Sequence, residues 1–486
     1  MLFNSYVFVL LFLPLTIAIY FGINRFGYHR AALLFLFLAS LVFYSFDHPE
    51  LTLVLITSIF INYLLAYGIN YSTGTKRGKV LLSIGILLNV GSIFYFKYYN
   101  FFFTNLDRIF QQGFQTRDII LPLGISFYTF QQISYLIDTY RGETKDYSFE
   151  EYAAFVSFFP QLVAGPIVLH GEIIPQFREK GKWYFNHDNF ANGIYIFAVG
   201  MFKKVLLADT LGRAVSWGWS NIDALEAMEL IVLSLSFTFQ LYFDFSGYCD
   251  MAVGIGKMFN IELPINFLSP YKACSVVEFW RGWHITLTRF LRNYVYIPLG
   301  GGKKGKLRTY VNVMIIFILS GIWHGANWTF ILWGILHGLA QVLNRIFKDI
   351  WDKCNQVFRW IITFSFVNVM WLLFRADSVM QAFSLIKRMM WMDELSVRSE
   401  FCEQYVLPEI DWMLHWIEPL SHLRWKITGF YMWVLLLVSL FVCLNCDNLY
   451  EKRFKPTWGK AVLTSVLMIW AIISLGDIST FLYFNF

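Results

Sequence analysis

Apolar runs of about 17 to 25 residues, the length a helix needs to cross roughly 30 Å of hydrocarbon, recur along nearly the whole chain. That recurrence leaves little choice of fold. In lipid every backbone N–H and C=O must be satisfied inside the protein, and for runs of this length the solution is a helix. The candidate spans are 6–23, 31–46, 50–69, 79–97, 119–138, 189–208, 226–246, 356–374, 428–445 and 460–478. Two further apolar stretches, 151–170 and 309–344, are interrupted and read as broken or re-entrant. With 57% hydrophobic residues, 15% charged residues and 51 phenylalanines, the chain carries more apolar surface than one water-soluble core can absorb. The expectation is an all-α, polytopic membrane protein. No linker-like tract and no fixed-period repeat divides it, so residues 1–486 read as one domain.

A net charge of +6 could by itself suggest nucleic acid or anionic lipid, but in a membrane protein the position of each charge matters more than the sum. "NRFGYHR" after the first span and "TGTKRGK" after the third are basic, whereas "DHPE" after the second is acidic. The positive-inside rule then places the N-terminus outside the cytoplasm and makes most other lysines and arginines cytoplasmic anchors, with no role for nucleic acid. The first span lacks a basic leader and a small-residue cleavage site, so it is expected to stay in the mature chain. Six scattered cysteines include one C-x-x-C, Cys443 to Cys446, which has no second ligand pair and reads as apolar filler. The least hydrophobic long stretch, 380–427, reads as an excursion with short amphipathic helices, held at the interface by Trp412, Trp416 and Trp425.

The 36 residues from 309 to 344 would make about 54 Å of helix, too long for a simple span. The break falls in "SGIWHGAN": Gly321 and Gly325 weaken helix propensity, while Ser320 and Asn327 can bond freed backbone groups. About ten apolar residues precede it, which puts His324, next to Trp323, near mid-membrane depth. The stretch 276–308 is the second unusual region. At helical spacing Trp280, His284, Leu287 and Leu291 share one face, and Arg281, Thr288, Arg289 and Arg292 another, so it reads as an interfacial helix. It ends at Pro298, after which Lys303, Lys304, Lys306 and Arg308 form a loop suited to anionic head groups or a phosphorylated substrate.

Of nine histidines, His29, His48, His170, His187, His415 and His422 lie in polar, aromatic-interface or loop contexts, and His337 fits a satisfied core position. His284 and His324 sit in apolar frames, where an ionisable side chain is a functional hypothesis by default. Burial disfavours imidazolium, so such a histidine is expected to be neutral and able to take a proton from a hydroxyl, as a general base must. There is no G-x-S-x-G elbow, phosphate-binding loop, H-E-x-x-H helix or dinucleotide glycine pattern, and the histidines lack carboxylate neighbours for a metal site. Asp244, Asp250 and Glu278 could each pair with an arginine such as Arg281, cap a helix, or orient a histidine ring. Gln131, Gln132 and Gln161 are candidate polar lining near the breaks marked by Pro122, Pro160 and Pro166.

Six blocks, in order over nearly the whole chain, carry a resemblance: "LPLGISFYTFQQISYLIDTYRG", "FFPQLVAGPI", "YFDFSGYCDMAVGIGKMF", "FWRGWHITLTRFLRNYVYIPLGG", "SGIWHGANWTFILWGILHG" and "FLYFNF". Together they resemble the membrane-bound O-acyltransferase (MBOAT) family, in its bacterial branch of alginate and peptidoglycan O-acetyltransferase membrane subunits. The resemblance implies a ring of roughly 10–13 membrane helices, some re-entrant or interfacial, around a central funnel. It makes His324 the catalytic residue and His284 the second signature histidine. It also implies cytoplasmic acetyl-CoA as acyl donor with no bound cofactor or metal, and an extracytoplasmic acetyltransferase- or esterase-like partner. The acceptor would be a cell-envelope polysaccharide, and the location the bacterial inner membrane. His284, Asn327 or a backbone N–H at the helix break would stabilise the oxyanion, the basic loop would meet the donor's phosphates, and Tyr483 is a candidate acyl relay. Gly282 and Asn293 stand where this branch commonly has arginine and aspartate. Two competing readings are D-alanyl transfer to teichoic acid, separated by the accepted donor, and a non-catalytic polysaccharide transporter, which would turn over no acetyl-CoA.

Overall fold

The computed structural model describes the chain except for residues 47, 145, 392–394, 417–423, 447, 451–453, 476–480 and 483–486, and the side chains of 414 and 415. Tyr483 and His422 therefore lie outside the described residues, and so does the side chain of His415. Among the described residues the fold is helical throughout, with no strand. Among the described residues seven helices are long and apolar enough to cross a membrane: Phe8–Arg25, Pro49–Asn70, Lys76–Phe110, Ala227–Met258, Lys306–His324, Gln356–Arg375 and Arg424–Asn445. Two shorter apolar helices, His29–Ser45 and Trp458–Ile473, accompany them.

The differences from the sequence reading have local causes. The run at 119–138 becomes a helix only over Ile125–Tyr140, because Pro122 and Gly124 hold the preceding chain out of helical geometry. The run at 79–97 continues through a π-turn at Phe94–Tyr98 to Phe110, so Lys97 lies inside a helical rod rather than at its end. The run at 189–208 continues to Ser220 through a π-helical turn at Phe202–Ala208, and such turns recur at functional or strained sites. Here the turn brings the ammonium of Lys204 between Asp244 and Asp209, at 2.6 and 2.7 Å.

At the centre stands Ala227–Met258, the most buried of the spans. It packs backbone to backbone against His187–Met201: a Cβ on Gly200 would lie 2.7 Å from the Gly247 carbonyl oxygen, and one on Gly193 2.6 Å from that of Gly254. Glycine pairs of this kind let membrane helices approach where lipid supplies no hydrophobic drive. Segments near both ends of the chain meet on this helix. The rings of Phe3 and Phe481 each lie 4.7 Å from that of Tyr248.

The excursion at 380–427 stays closer to the protein than expected. Phe401 and Tyr405 are fully buried, Phe401 stacks on Trp217, and the Tyr405 hydroxyl is 2.7 Å from that of Ser236. Trp412, Trp416 and Trp425 are exposed, as an interfacial role requires.

Candidate active site

The helix Lys306–His324 ends at the histidine, and the chain turns through Gly325 and Ala326 into a second helix, Trp328–Ile346. The break is where the glycines and Asn327 place it, but the first helix is 19 residues long, about 28 Å. His324 therefore sits at the far end of a full-length helix from the basic loop, not after half a span. The two helices form a hairpin so close that a Cβ on Gly321 would lie 2.3 Å from the Phe330 carbonyl oxygen, and one on Gly334 2.3 Å from that of Phe317. The Asn327 side chain accepts from Thr329 N–H and donates to the Asp377 carbonyl, so it fastens the turn.

His324 is 3% exposed, with the rings of Trp323, Trp333 and Phe374 at 4.9 to 5.2 Å. Its backbone carbonyl and that of Trp323 accept from the Lys97 ammonium at 2.9 and 2.8 Å, and Ile322 accepts from the Tyr98 hydroxyl. With Lys97 and Trp323 it borders a cavity of about 50 Å3, closed otherwise by the chain at 121–127 and by Val163 and Ala164. The walls come from the start of the 119–138 run and from the interrupted stretch 151–170. Residues 151–168 are buried almost without exception, in short helices followed by extended chain, and irregular backbone at this depth is tolerated where protein encloses it. Gly124 (φ +70°) joins the walls: a Cβ there would lie 2.6 Å from the Leu162 carbonyl oxygen.

The stretch 276–308 is not one interfacial helix. It breaks at His284, which is fully buried with a left-handed backbone (φ +45°), between helices Val276–Gly282 and Ile285–Leu291. A non-glycine residue in that region is strained and is held there only by its surroundings. The holder is Asn266. Its Oδ1 accepts from Thr286 N–H and Oγ–H and lies 3.1 Å from His284 Nδ1, while its Nδ2 donates to Cys249. With Oδ1 as acceptor, Nδ1 carries the imidazole proton and Nε2 presents its lone pair. Thr286 in turn accepts from Ile167 N–H, tying this turn to the wall of the cavity. The ring of Trp323 lies 5.8 Å from His284 and 4.9 Å from His324, so it separates and orients both. Nothing in the sequence pattern marks Asn266, a lone amide in an unremarkable loop.

Replacing Asn266 by leucine leaves buried donors on His284 and Thr286 without an acceptor, each costing about 1–3 kcal/mol. The expected result is lower thermal stability and at least about a ten-fold loss of turnover per folded molecule. Melting of the purified variant and its rate, measured side by side, check this.

Below the break, on the side of the basic loop, Ser320 borders a second cavity of about 530 Å3 between the hairpin and residues 277–296. Arg281, Arg292 and Arg345 line it with Thr288 and Gln341, and among the described residues no carboxylate does. Arg289, expected on the same basic face, is diverted to Glu172 and the Ile167 carbonyl. Of the loop residues, Lys303, Lys304 and Lys306 are exposed, and Arg308 is directed at the Leu299 carbonyl. Gly282, where arginine is common in the family resemblance, has no room for a side chain: a Cβ would lie 2.6 Å from the Leu268 carbonyl oxygen.

The carboxylates do not orient the histidines. Asp244 pairs with Lys204 and accepts from Leu482 N–H, Asp250 holds Lys203 and the Tyr450 hydroxyl, and Glu278 caps its own helix. Gln132 and Gln161 bond Ser58 and the Phe155 carbonyl and do not line the cavity. His337 is a core residue accepting from Trp280 Nε1. His170, grouped from sequence with the histidines of polar, aromatic-interface or loop contexts, is buried between Asp138 and Tyr147 in a polar clasp completed by the Tyr294 hydroxyl. Among the described residues no group of three or more His, Cys, Asp or Glu side chains could hold a metal.

The chain folds as a multi-pass membrane protein with an aromatic-framed histidine at a backbone break, bordering one small cavity, and with a second cavity beside the same hairpin. The chain belongs to the MBOAT, or membrane-bound O-acyltransferase, family, which residues 41–384 match, and it is an O-acyltransferase. It is 39% identical to the peptidoglycan O-acetyltransferase of Helicobacter pylori, over the whole of this chain and 98% of that protein. It is 37% identical to a probable alginate O-acetylase of Pseudomonas aeruginosa, over 80% of this chain and 75% of that one. The teichoic acid D-alanyltransferase of Streptococcus thermophilus is 30% identical over only 47% of this chain.

Proposed function

We propose that this protein is an inner-membrane O-acetyltransferase that takes acetyl from cytoplasmic acetyl-CoA and passes it across the membrane for O-acetylation of a cell-envelope polysaccharide. The observation that carries the reading is His324 at the end of its helix, with a large arginine-lined cavity on the basic-loop side and a small cavity at the imidazole itself. Two relatives named for O-acetylation, both matched over three quarters or more of their own length, support the acetyl donor over D-alanine. The N-terminus lies outside the cytoplasm and the basic loops inside, as the charge pattern requires.

In this reading the donor's phosphates meet Arg281, Arg292 and Arg345, with Lys303, Lys304 and Lys306 at the entrance, and the acetyl thioester reaches past Ser320 toward His324. The imidazole takes the proton of the acceptor hydroxyl as its oxygen attacks the thioester carbonyl. The C–S bond then breaks and the imidazolium returns the proton to the departing thiolate. The acceptor hydroxyl is that of Tyr483, whose neighbour Leu482 is held at Asp244, or one brought by an extracytoplasmic partner protein.

Purified protein in lipid discs is expected to turn over labelled acetyl-CoA, with label on Tyr483 by peptide mass spectrometry and none there in Tyr483→Phe. Turnover only with a D-alanylated carrier protein would overturn the acetyl reading. Replacing Arg281, Arg292 and Arg345 together by glutamine is expected to raise the KM for acetyl-CoA at least about ten-fold, with kcat little changed, since each cation contributes to anion binding and none touches the reacting carbonyl.

A further inference from the structure

Between Lys79 and Asp107 the helical rod Lys76–Phe110 carries one charge, Lys97. A charge inside a span is costly, and a lysine serving only as an anchor would extend along the helix to the interface. Lys97 instead turns inward. Its ammonium donates to the carbonyls of Trp323 and His324 at 2.8 and 2.9 Å, the negative end of the helix that delivers His324, and lies 5.9 Å from the Trp323 ring. An ammonium has three N–H donors, and among the described residues these two carbonyls are its hydrogen-bond partners. Lys97 and His324 line the same cavity, whose roughly 50 Å3 is several times the roughly 10–15 Å3 one water needs.

We propose that Lys97 is a catalytic residue of the acyl transfer: its third N–H, facing the cavity, binds the carbonyl oxygen of the acyl group as negative charge develops there. This rests on the reading of His324 as the base. The acceptor oxygen bonds to the carbonyl carbon, its proton goes to the imidazole, and the carbonyl π pair moves onto the oxygen held by Lys97. When the tetrahedral species collapses, that pair re-forms the C=O, the C–S bond breaks, and the sulfur leaves with its pair and takes the proton from the imidazolium. The ammonium is fixed beforehand by the two backbone carbonyls, so it need not reorganise as charge forms, which is what makes such donors effective. Capping alone would not call for a cation, because Tyr98 next to it caps Ile322 with a neutral hydroxyl.

The test is kinetic, on the full-length protein in lipid discs with labelled acetyl-CoA. Lys97→Met is expected to lose about 10²–10³-fold in kcat per folded molecule with the KM for acetyl-CoA and the Kd for free coenzyme A nearly unchanged, while the melting temperature falls because two carbonyls lose their donor. Lys97→Arg, which keeps the charge, should recover part of the loss. A Lys97→Met kcat within about three-fold of wild type, or a loss that only tracks the unfolded fraction, overturns the proposal. If Lys97→Met does not fold, Lys97→Gln keeps an N–H for the carbonyls without the charge. The same kcat loss is expected, and full activity would overturn the proposal. An active His324→Ala would sink the underlying reading whatever Lys97 does. An inactive His324→Ala beside an active Lys97→Met would sink this proposal alone.

Discussion

Replacing His324 by alanine is expected to lower acyl transfer from acetyl-CoA by about 10²–10⁴-fold, the contribution of a positioned general base, while the protein purifies and melts much as wild type does. Expression should survive because the backbone at the break is held by groups other than the imidazole. Lys97 and Tyr98 bond the last carbonyls, Asn327 caps the following helix, and glycines set the hairpin. Steady-state turnover in lipid discs, with the melting curve of the same sample, measures both quantities. Activity within about ten-fold of wild type would mean the proton goes elsewhere.

The second large effect is expected at Gly321, one helical turn before His324. Gly321→Val would put a side chain where the Phe330 carbonyl oxygen now lies 2.3 Å from a bare Cβ position. The obstacle is backbone, not a flexible side chain, so the hairpin helices must separate. Overpacking of this kind costs about 1–3 kcal/mol where side chains can yield, and here they cannot. Because His324 is three residues further along the same helix, the shift reaches the imidazole, and a misplacement of about 1 Å is enough for a loss near 10²-fold. The expected result is a lowered melting temperature together with loss of turnover in the fraction that still folds. Gly91→Ala is the control: nothing lies within 4 Å of its Cβ position, so stability and rate should hold.

What the sequence makes legible follows from which forces are local. The spans can be read because bilayer thickness fixes their length, and the break at "SGIWHGAN" because glycine, serine and asparagine weaken a helix without help from elsewhere. The break at His284 cannot be read. "FWRGWHITLTRF" keeps an unbroken helical period, and the kink is imposed by Asn266 on Thr286 and by the Leu268 N–H bonding the Gly282 carbonyl, from residues remote in sequence. Arg289 falls on the basic face by spacing, yet Glu172, 117 residues away, claims it. Lys97 hides for a different reason. At the end of an apolar run a lysine reads as a boundary marker, and only the continuation of the helix to Phe110 shows that it lies within the span. Asp244 stands in the most suggestive polar setting of the chain, but the π-helical turn that delivers Lys204 to it leaves no trace in hydrophobic periodicity.

The proposed transfer requires that the small cavity at His324 be reached from one side of the membrane and the arginine-lined cavity from the other, and thiol accessibility measures this most directly. In a variant with the six native cysteines replaced, Ser126→Cys reports on the small cavity and Thr288→Cys on the large one. A membrane-impermeant charged thiol reagent added to intact cells is expected to modify Cys at 126 and to reach Cys at 288 only after the membrane is permeabilised. Modification of both positions from one side, with neither protected in intact cells, would contradict transfer across the membrane at His324.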